Sequence, residues 1–165
     1  DDQQELYTVL ERIQDVLETR PKYDFVNLSL GPDLPIEDND VHAWTAVLDQ
    51  LFADGQTLPT IAVGNSGEMD WTSGNARIQT PADCVNGLSI GGCDRSGPGW
   101  KRAPYSSIGP GRSPGIMKPD GLAFGGSSRE PYWVLNAQDP GAAMPITGTS
   151  FAAPTAPASR TSSTA

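Results

Sequence analysis

The stretch Leu58-Pro59-Thr60-Ile61-Ala62-Val63-Gly64-Asn65-Ser66-Gly67 decides how the chain is read. The apolar run from Leu58 to Val63 predicts a short buried strand, and the Gly-Asn-Ser-Gly after it is turn chemistry. Upstream, Val41, Trp44, Val47, Leu48, Leu51 and Phe52 recur at helical spacing. Asp40 stands where a cap belongs, and Gly55 where a left-handed residue closes a helix. Before that helix, Phe25 to Leu30 predicts another short strand, ending at Gly31-Pro32. Earlier still, Leu6, Val9, Leu10, Ile13, Val16 and Leu17 predict an amphipathic helix over about 3–19, which Pro21 stops. Helix, strand, helix, strand in this order points to an α/β domain with a parallel sheet built on crossovers. In such sheets ligands gather at the carboxyl ends of the strands. Gly31 and Gly64-Asn65 both fall at such ends.

Downstream, Leu88 to Ile90 predicts a third strand. The chain from Asp94 to Pro140 is dominated by Gly, Pro and Ser and is expected to be long loops with short strand pieces such as Tyr132 to Leu135. Met144 to Thr147 reads as a last strand, delivering Gly148-Thr149-Ser150-Phe151-Ala152-Ala153-Pro154. That layout places Ser150 at the mouth of a helix, where free N–H groups and the positive dipole end favour developing negative charge. A serine there is also an ordinary helix cap. The segment 155–165 is low in complexity, Pro157 interrupts any helix begun at Ser150, and disorder is expected. No internal repeat is visible.

Composition narrows the function classes. With 165 residues the chain is one domain in length, and 18 Gly with 15 Pro make a loop-rich globular domain. A formal charge of −9 and a pI near 4.4 argue against nucleic acid as a partner. No apolar run approaches the ~20 residues that cross a bilayer. No signal peptide is visible, since Asp1 opens straight into a charged helix. Cys84 and Cys93 flank the third strand, whose extended length holds them roughly 20 Å apart, against the ~7 Å limit for a disulfide. Two free thiols are expected, which fits a reducing compartment such as the cytoplasm without fixing the localisation.

Four segments, in order, resemble the subtilisin-like serine proteases (subtilases, peptidase family S8). Asn27-Leu28-Ser29-Leu30-Gly31 is similar to the family's substrate-binding strand. Ala62-Val63-Gly64-Asn65-Ser66-Gly67 resembles the segment with the oxyanion-hole asparagine. Tyr105-Ser106-Ser107-Ile108-Gly109-Pro110, followed by Lys118-Pro119-Asp120, looks like the family's Ser-Ser-x-Gly and Lys-Pro-Asp stretch. Gly148 to Pro154 is similar to the nucleophile motif. The resemblance covers about 3–154 and implies a three-layer subtilisin-like α/β fold with a mostly parallel sheet. It implies a partial peptidase domain over 1–154, with 155–165 as a tail.

The resemblance also implies roles. Ser150 is the nucleophile, which loses its proton to a histidine. Asn65 donates a side-chain N–H to the oxyanion beside the backbone N–H of Ser150; its local reading is a turn asparagine. Ser29, Leu30 and Gly31 pair with substrate backbone as an added strand, and Gly64 lines the pocket for the side chain before the cut. The family runs Asp, His, Ser along the chain, yet no Asp-Thr-Gly, Asp-Ser-Gly or His-Gly-Thr occurs in this sequence. The chain therefore looks like the C-terminal part of a catalytic domain, its sheet incomplete on the N-terminal side and its aspartate and histidine expected upstream. His42 lies in the first turn of the second helix and lacks glycine-rich surroundings; a solvated helix residue is expected. Ser66 in Gly-Asn-Ser-Gly has no histidine segment to support it as a nucleophile. Asp33, Glu37, Asp38 and Asp40 offer the oxygen ligands calcium takes, but lack EF-hand spacing, and a solvated acidic loop is expected. Asp120 is expected in structural turn chemistry.

Two functions follow as expectations. One is a serine endopeptidase acting on a polypeptide substrate without a cofactor, its partner being the missing N-terminal part of its own domain. The other is a truncated or degenerate protease fold that binds peptides at the Ser29–Gly31 edge without cleaving them.

Overall fold

The computed structural model describes residues 2–19, 23–113 and 117–158. Helix α1 spans Asp2–Thr19, strand β1 Phe25–Leu28, helix α2 Ala43–Leu51 and strand β2 Leu58–Ala62. Strand β3 follows at Leu88–Cys93 and β4 at Gly121–Phe124. These four strands form one sheet in the order β1-β2-β3-β4, and every neighbouring pair is parallel. The α/β expectation therefore holds, with β1 at one edge.

Alternation along the strands splits the core between two faces. In β2 the side chain of Ile61 joins Leu28, Trp44, Leu48, Phe52, Val63 and Ile78 on the face covered by α1 and α2. Its neighbour Ala62 turns the other way, toward Ile90, Ala152 and Ala153. That second face is covered by α3 (Thr149–Ala152) and α4 (Thr155–Ala158), so the sheet is the middle of three layers. Apart from Ile90 and Leu88 this side is lined by alanines, among them Ala62, Ala123, Ala152 and Ala153, which lets a short helix sit close to the strands.

Several boundaries differ from expectation for local reasons. His42, not Asp40, caps α2: its Nδ1 accepts the Trp44 N–H at 3.2 Å, while Asp40 Oδ1 takes only the N–H of the adjacent Val41. Gly55 has the expected left-handed φ of 66° and donates its N–H to Phe52 C=O. Pro21 lies outside the described residues. The last strand begins well before Met144. Strand β6 spans Asp139–Ile146 and pairs antiparallel with β5 (Tyr132–Asn136) as a separate hairpin. Thr155–Ala158 is helical rather than disordered, with α3 and α4 separated at Ala153-Pro154; 159–165 lie outside the described residues. Cys84 and Cys93 are free and buried, as the spacing required. Burial pushes both thiols up, which disfavours their thiolate forms.

Candidate active site

The carboxyl ends of β1 and β2 and the start of α3 surround one cleft of about 420 Å³. Ser150, Asn65, Ser29, Leu30, Gly31 and Gly64 all line it, although they come from three separated segments of the chain. Asp33, Ser66, Met69, Gln79 and Thr149 line it too. Among the described residues no His, Lys or Arg does. His42 instead borders a small hollow with Leu6, Pro32 and Trp44.

The hairpin delivers Ser150. Gly148 N–H donates to Gly125 C=O at 2.9 Å, joining the end of the hairpin to the end of β4. Tyr132 stacks on Phe151 with ring centroids 5.5 Å apart and meets Phe124 at 6.0 Å, so an aromatic cluster supports the segment from behind. Tyr105 sits beneath it, its hydroxyl donating to Gly126 C=O at 3.0 Å, and burial raises its ionisation to about 12.

Gly148 is the N-cap of α3 and has no side chain to satisfy the first N–H groups. The Phe151 N–H goes to Gly148 C=O and the Thr149 N–H to Asn65 Oδ1 at 2.9 Å. Neither the N–H nor the hydroxyl of Ser150 has a protein partner among the described residues. The Thr149 hydroxyl also donates to Asn65 Oδ1, at 3.2 Å. Because a backbone N–H can only donate, the asparagine oxygen must face Thr149. Its Nδ2 donors are thereby left for a group in the cleft. One free side-chain donor and one free backbone donor flanking a hydroxyl form an arrangement suited to an oxyanion.

The other wall is tied to the same segment. Thr60 Oγ1 donates to Asn27 Oδ1 at 3.2 Å, Asn27 Nδ2 to Ser29 Oγ at 2.9 Å, and Ser29 Oγ to Ser150 C=O at 3.1 Å. Ser29 therefore uses its side chain to hold the Ser150 segment. Leu30 beyond it is half exposed along the cleft. At Gly31 an added Cβ meets Thr80 C=O at 2.6 Å. Gly64 has φ +95°, and a Cβ there runs into the Gln79 side chain at 2.0 Å, so both glycines let the cleft walls come together.

Gln79 and Thr149 had no role in the sequence reading. Thr149 could have been found, since it stands inside the Gly-Thr-Ser motif. Gln79 carries no local signal: it arrives because the 67–80 loop folds back and its N–H bonds Val63 C=O at 2.9 Å. The acidic loop is dispersed among separate partners. Asp38 binds Arg77 and the Ser113 N–H, and Asp33 accepts from Gln79 Nε2. Among the described residues no three His, Cys, Asp or Glu side chains gather to hold a metal ion. Asp120 sits away from the cleft and accepts from Ser89 N–H, Ser89 Oγ and the buried Lys118 Nζ.

Comparison with known proteins bears on family and fold. The model of the subtilase family matches residues 1–160. No curated protein matches. Among solved structures, the prenylagaramide maturation protease PagA superposes with a TM-score of 0.63 at 21% identity, covering 90% of this chain and 45% of PagA. The PatG macrocyclase in complex with peptide gives 0.62 at 20% identity, covering 90% of this chain and 38% of PatG. Sphericase gives 0.58 at 19%, with 90% and 45% covered. The chain thus spans less than half the length of these similar proteins.

Proposed function

Because this chain belongs to the subtilase family, we propose that it supplies the nucleophile half of a serine endopeptidase, with the aspartate and histidine contributed from upstream. The observation that supports this best is the joint placement of a Ser150 hydroxyl and N–H without partners among the described residues and an Asn65 amide whose oxygen is already taken by Thr149.

In this reading a peptide lies along Ser29–Gly31 as an added strand. Ser150 Oγ attacks the scissile carbonyl carbon while its proton passes to the upstream histidine. The carbonyl oxygen becomes an oxyanion and accepts from Ser150 N–H and Asn65 Nδ2. Collapse expels the amine with that proton and leaves an acyl-enzyme on Ser150, which water hydrolyses. Without its base the isolated chain keeps at most the small residual rate of an oxyanion site.

The partner in this scheme is the rest of the same domain. Among the described residues no strand pairs with the outer edge of β1, and an apolar groove of about 530 Å³ runs between α1 and β1, lined by Val9, Ile13, Val16, Phe25 and Val26. Polypeptide packing on this side completes the sheet and brings the histidine and aspartate to the carboxyl ends of the strands.

The test is fluorophosphonate labelling of the full-length protein. Labelling that disappears in Ser150→Ala is the expected result. A folded full-length protein that does not label rejects the protease in favour of a peptide-binding module.

A further inference from the structure

The cleft beside Ser150 carries a polar pair that oxyanion chemistry does not use. Gln79 Nε2 donates to Asp33 Oδ1 and, at 2.7 Å, to Ser66 Oγ. A carboxylate has no proton to give, so the amide nitrogen must face Asp33, and Oε1 must face the other way. That oxygen lies against Gly64, where an added Cβ would meet it at 2.0 Å. It has no donor of its own among the described residues. Asp33 is exposed and forms no ion pair with any described cation. Its carboxylate and Gln79 Oε1 are thus acceptors in excess, in a cleft lined among the described residues by no Lys, Arg or His.

Other features of the molecule carry less. The hollow around Glu37, Asp40, His42 and Asp83 spends Asp83 on Thr45 and Arg112, and His42 Nδ1 on Trp44. Both cysteines are sealed in packing.

Resting on the reading of Ser150 as the nucleophile, we propose that Asp33 and Gln79 form a specificity site for a cationic side chain, lysine or arginine, on the residue before the cut. Gly64 directly precedes Asn65, so a substrate carbonyl held by Asn65 places its own side chain over Gly64 and toward Gln79. Gly64, with no Cβ, lets the Gln79 amide close directly against the backbone at the cleft wall. An ammonium or guanidinium entering there donates to Gln79 Oε1 and to the second oxygen of Asp33, filling the acceptors left open. Leucine or phenylalanine offers no donors and must strip water from both groups, which is the kind of mismatch that discriminates strongly. Gln79 orients Asp33 as well as touching substrate, since its nitrogen holds the carboxylate at the cleft wall.

The experiment uses the full-length protein and two readouts. Fluorogenic peptides differing only in the residue before the cut give kcat/KM, and Arg or Lys is expected to exceed Leu by about tenfold or more. Asp33→Asn lowers that ratio about tenfold or more, and Asp33→Lys reverses it toward Glu. In the Ser150→Ala protein, titration with a product-like tetrapeptide ending in arginine tests the pocket without chemistry. Tighter binding than its leucine-ended counterpart, lost in Asp33→Asn, supports the site even if fluorophosphonate fails to label Ser150. Labelling of Ser150 together with preference for leucine, or a ratio indifferent to Asp33→Asn, overturns the cationic site and leaves the protease standing. Absence of both labelling and arginine-selective binding overturns both.

Discussion

Asn65 Oδ1 accepts both the N–H of Thr149, at 2.9 Å, and its hydroxyl, at 3.2 Å, and Thr149 is the residue immediately before Ser150. The end of β2 and the start of α3 are thereby one unit, and the same amide whose nitrogen faces the cleft fixes where the Ser150 segment begins. Asn65→Asp retains the acceptor and deletes the donor; Asn65→Ala deletes both. In the full-length protein both are expected to lower kcat by about 100- to 1,000-fold, a magnitude taken from a subtilisin's own asparagine. Only the alanine variant also orphans the Thr149 N–H, at about 1–2 kcal/mol. A melting temperature lowered by Asn65→Ala but held by Asn65→Asp separates the two roles. An alanine variant that labels with fluorophosphonate at the parent rate would refute the pairing.

Ser29 stands at the centre of the relay from Thr60 through Asn27 to the Ser150 carbonyl. Ser29→Ala removes the middle of that relay in a half-buried position. A loss of about 1 kcal/mol is expected, or roughly 2–4 °C in melting temperature for a domain of this size. Since the Ser150 segment loses a tether, the labelling rate should fall with it. Calorimetry and labelling kinetics on the same preparation check the pair, and an unchanged melt would show that water replaces the hydroxyl.

Asp120 holds Lys118, which is 7% exposed, through Oδ2 at 2.7 Å, and the same oxygen takes the Ser89 N–H. Among the described residues, Asp120→Ala leaves the buried ammonium with Gly87 C=O, at 2.9 Å, as its remaining partner. The expected loss is about 3 kcal/mol, the low end for breaking a buried pair because Asp120 itself is partly exposed. Lys118→Met with Asp120→Ala should recover part of it. Denaturant unfolding of the single and double variants decides, and equal stability of Asp120→Ala and parent would contradict the assignment.

Asp38 is held below the ordinary carboxylate value, first by its hydrogen bond from Arg77 and then by the Ser113 N–H. A carboxyl lowered in the fold contributes stability that is complete above its unfolded value, near 3.8, and is lost as pH falls through the lower folded value. Stability should therefore decline with acidification below about pH 4, and less steeply in Asp38→Asn. Because Asp38 is exposed, the difference is small and should shrink in high salt. Melting temperatures across pH 2–6, with and without added salt, check the slope.

How much of this was legible follows from the range of the forces involved. Helices α1 and α2 and strands β1 to β3 were readable because burial of one face writes a period into neighbouring residues such as Leu6, Leu10, Ile13 and Leu17. Strand β4 was not, since Gly121 to Phe124 becomes a strand only when the edge of β3 is there to pair with it. The start of β6 at Asp139-Pro140-Gly141 looks like loop composition; it is strand because Asp139 pairs with Asn136 and the bulge after it carries the chain back into register at Ala143 opposite Leu135. The cap of α2 was misplaced because Asp40 and His42 both offer an acceptor, and which one reaches the Trp44 N–H depends on the incoming backbone. In the cleft, Ser150, Asn65, Ser29, Leu30, Gly31 and Gly64 were chosen from motifs. Gln79 and Asp33 met through a fold-back that no local pattern records.

The edge at β1 leads to the last prediction. Phe25 is 53% exposed and Val9 and Val16 about 40%, all facing one apolar groove beside a strand whose outer edge pairs with no described strand. Such an edge with apolar neighbours is a template for association. The chain by itself is expected to self-associate at micromolar concentration, and Phe25→Lys with Val16→Lys should shift it toward monomer. Those same substitutions should abolish fluorophosphonate labelling in the full-length protein, because in the proposed assembly the rest of the domain packs in the groove they charge. Sedimentation velocity on the chain alone, paired with labelling of the full-length variant, reads both effects. A parent chain that is monomeric with a cooperative melt would remove the basis for assigning the groove. A charged variant that still labels at the parent rate would place the upstream half somewhere other than beside β1.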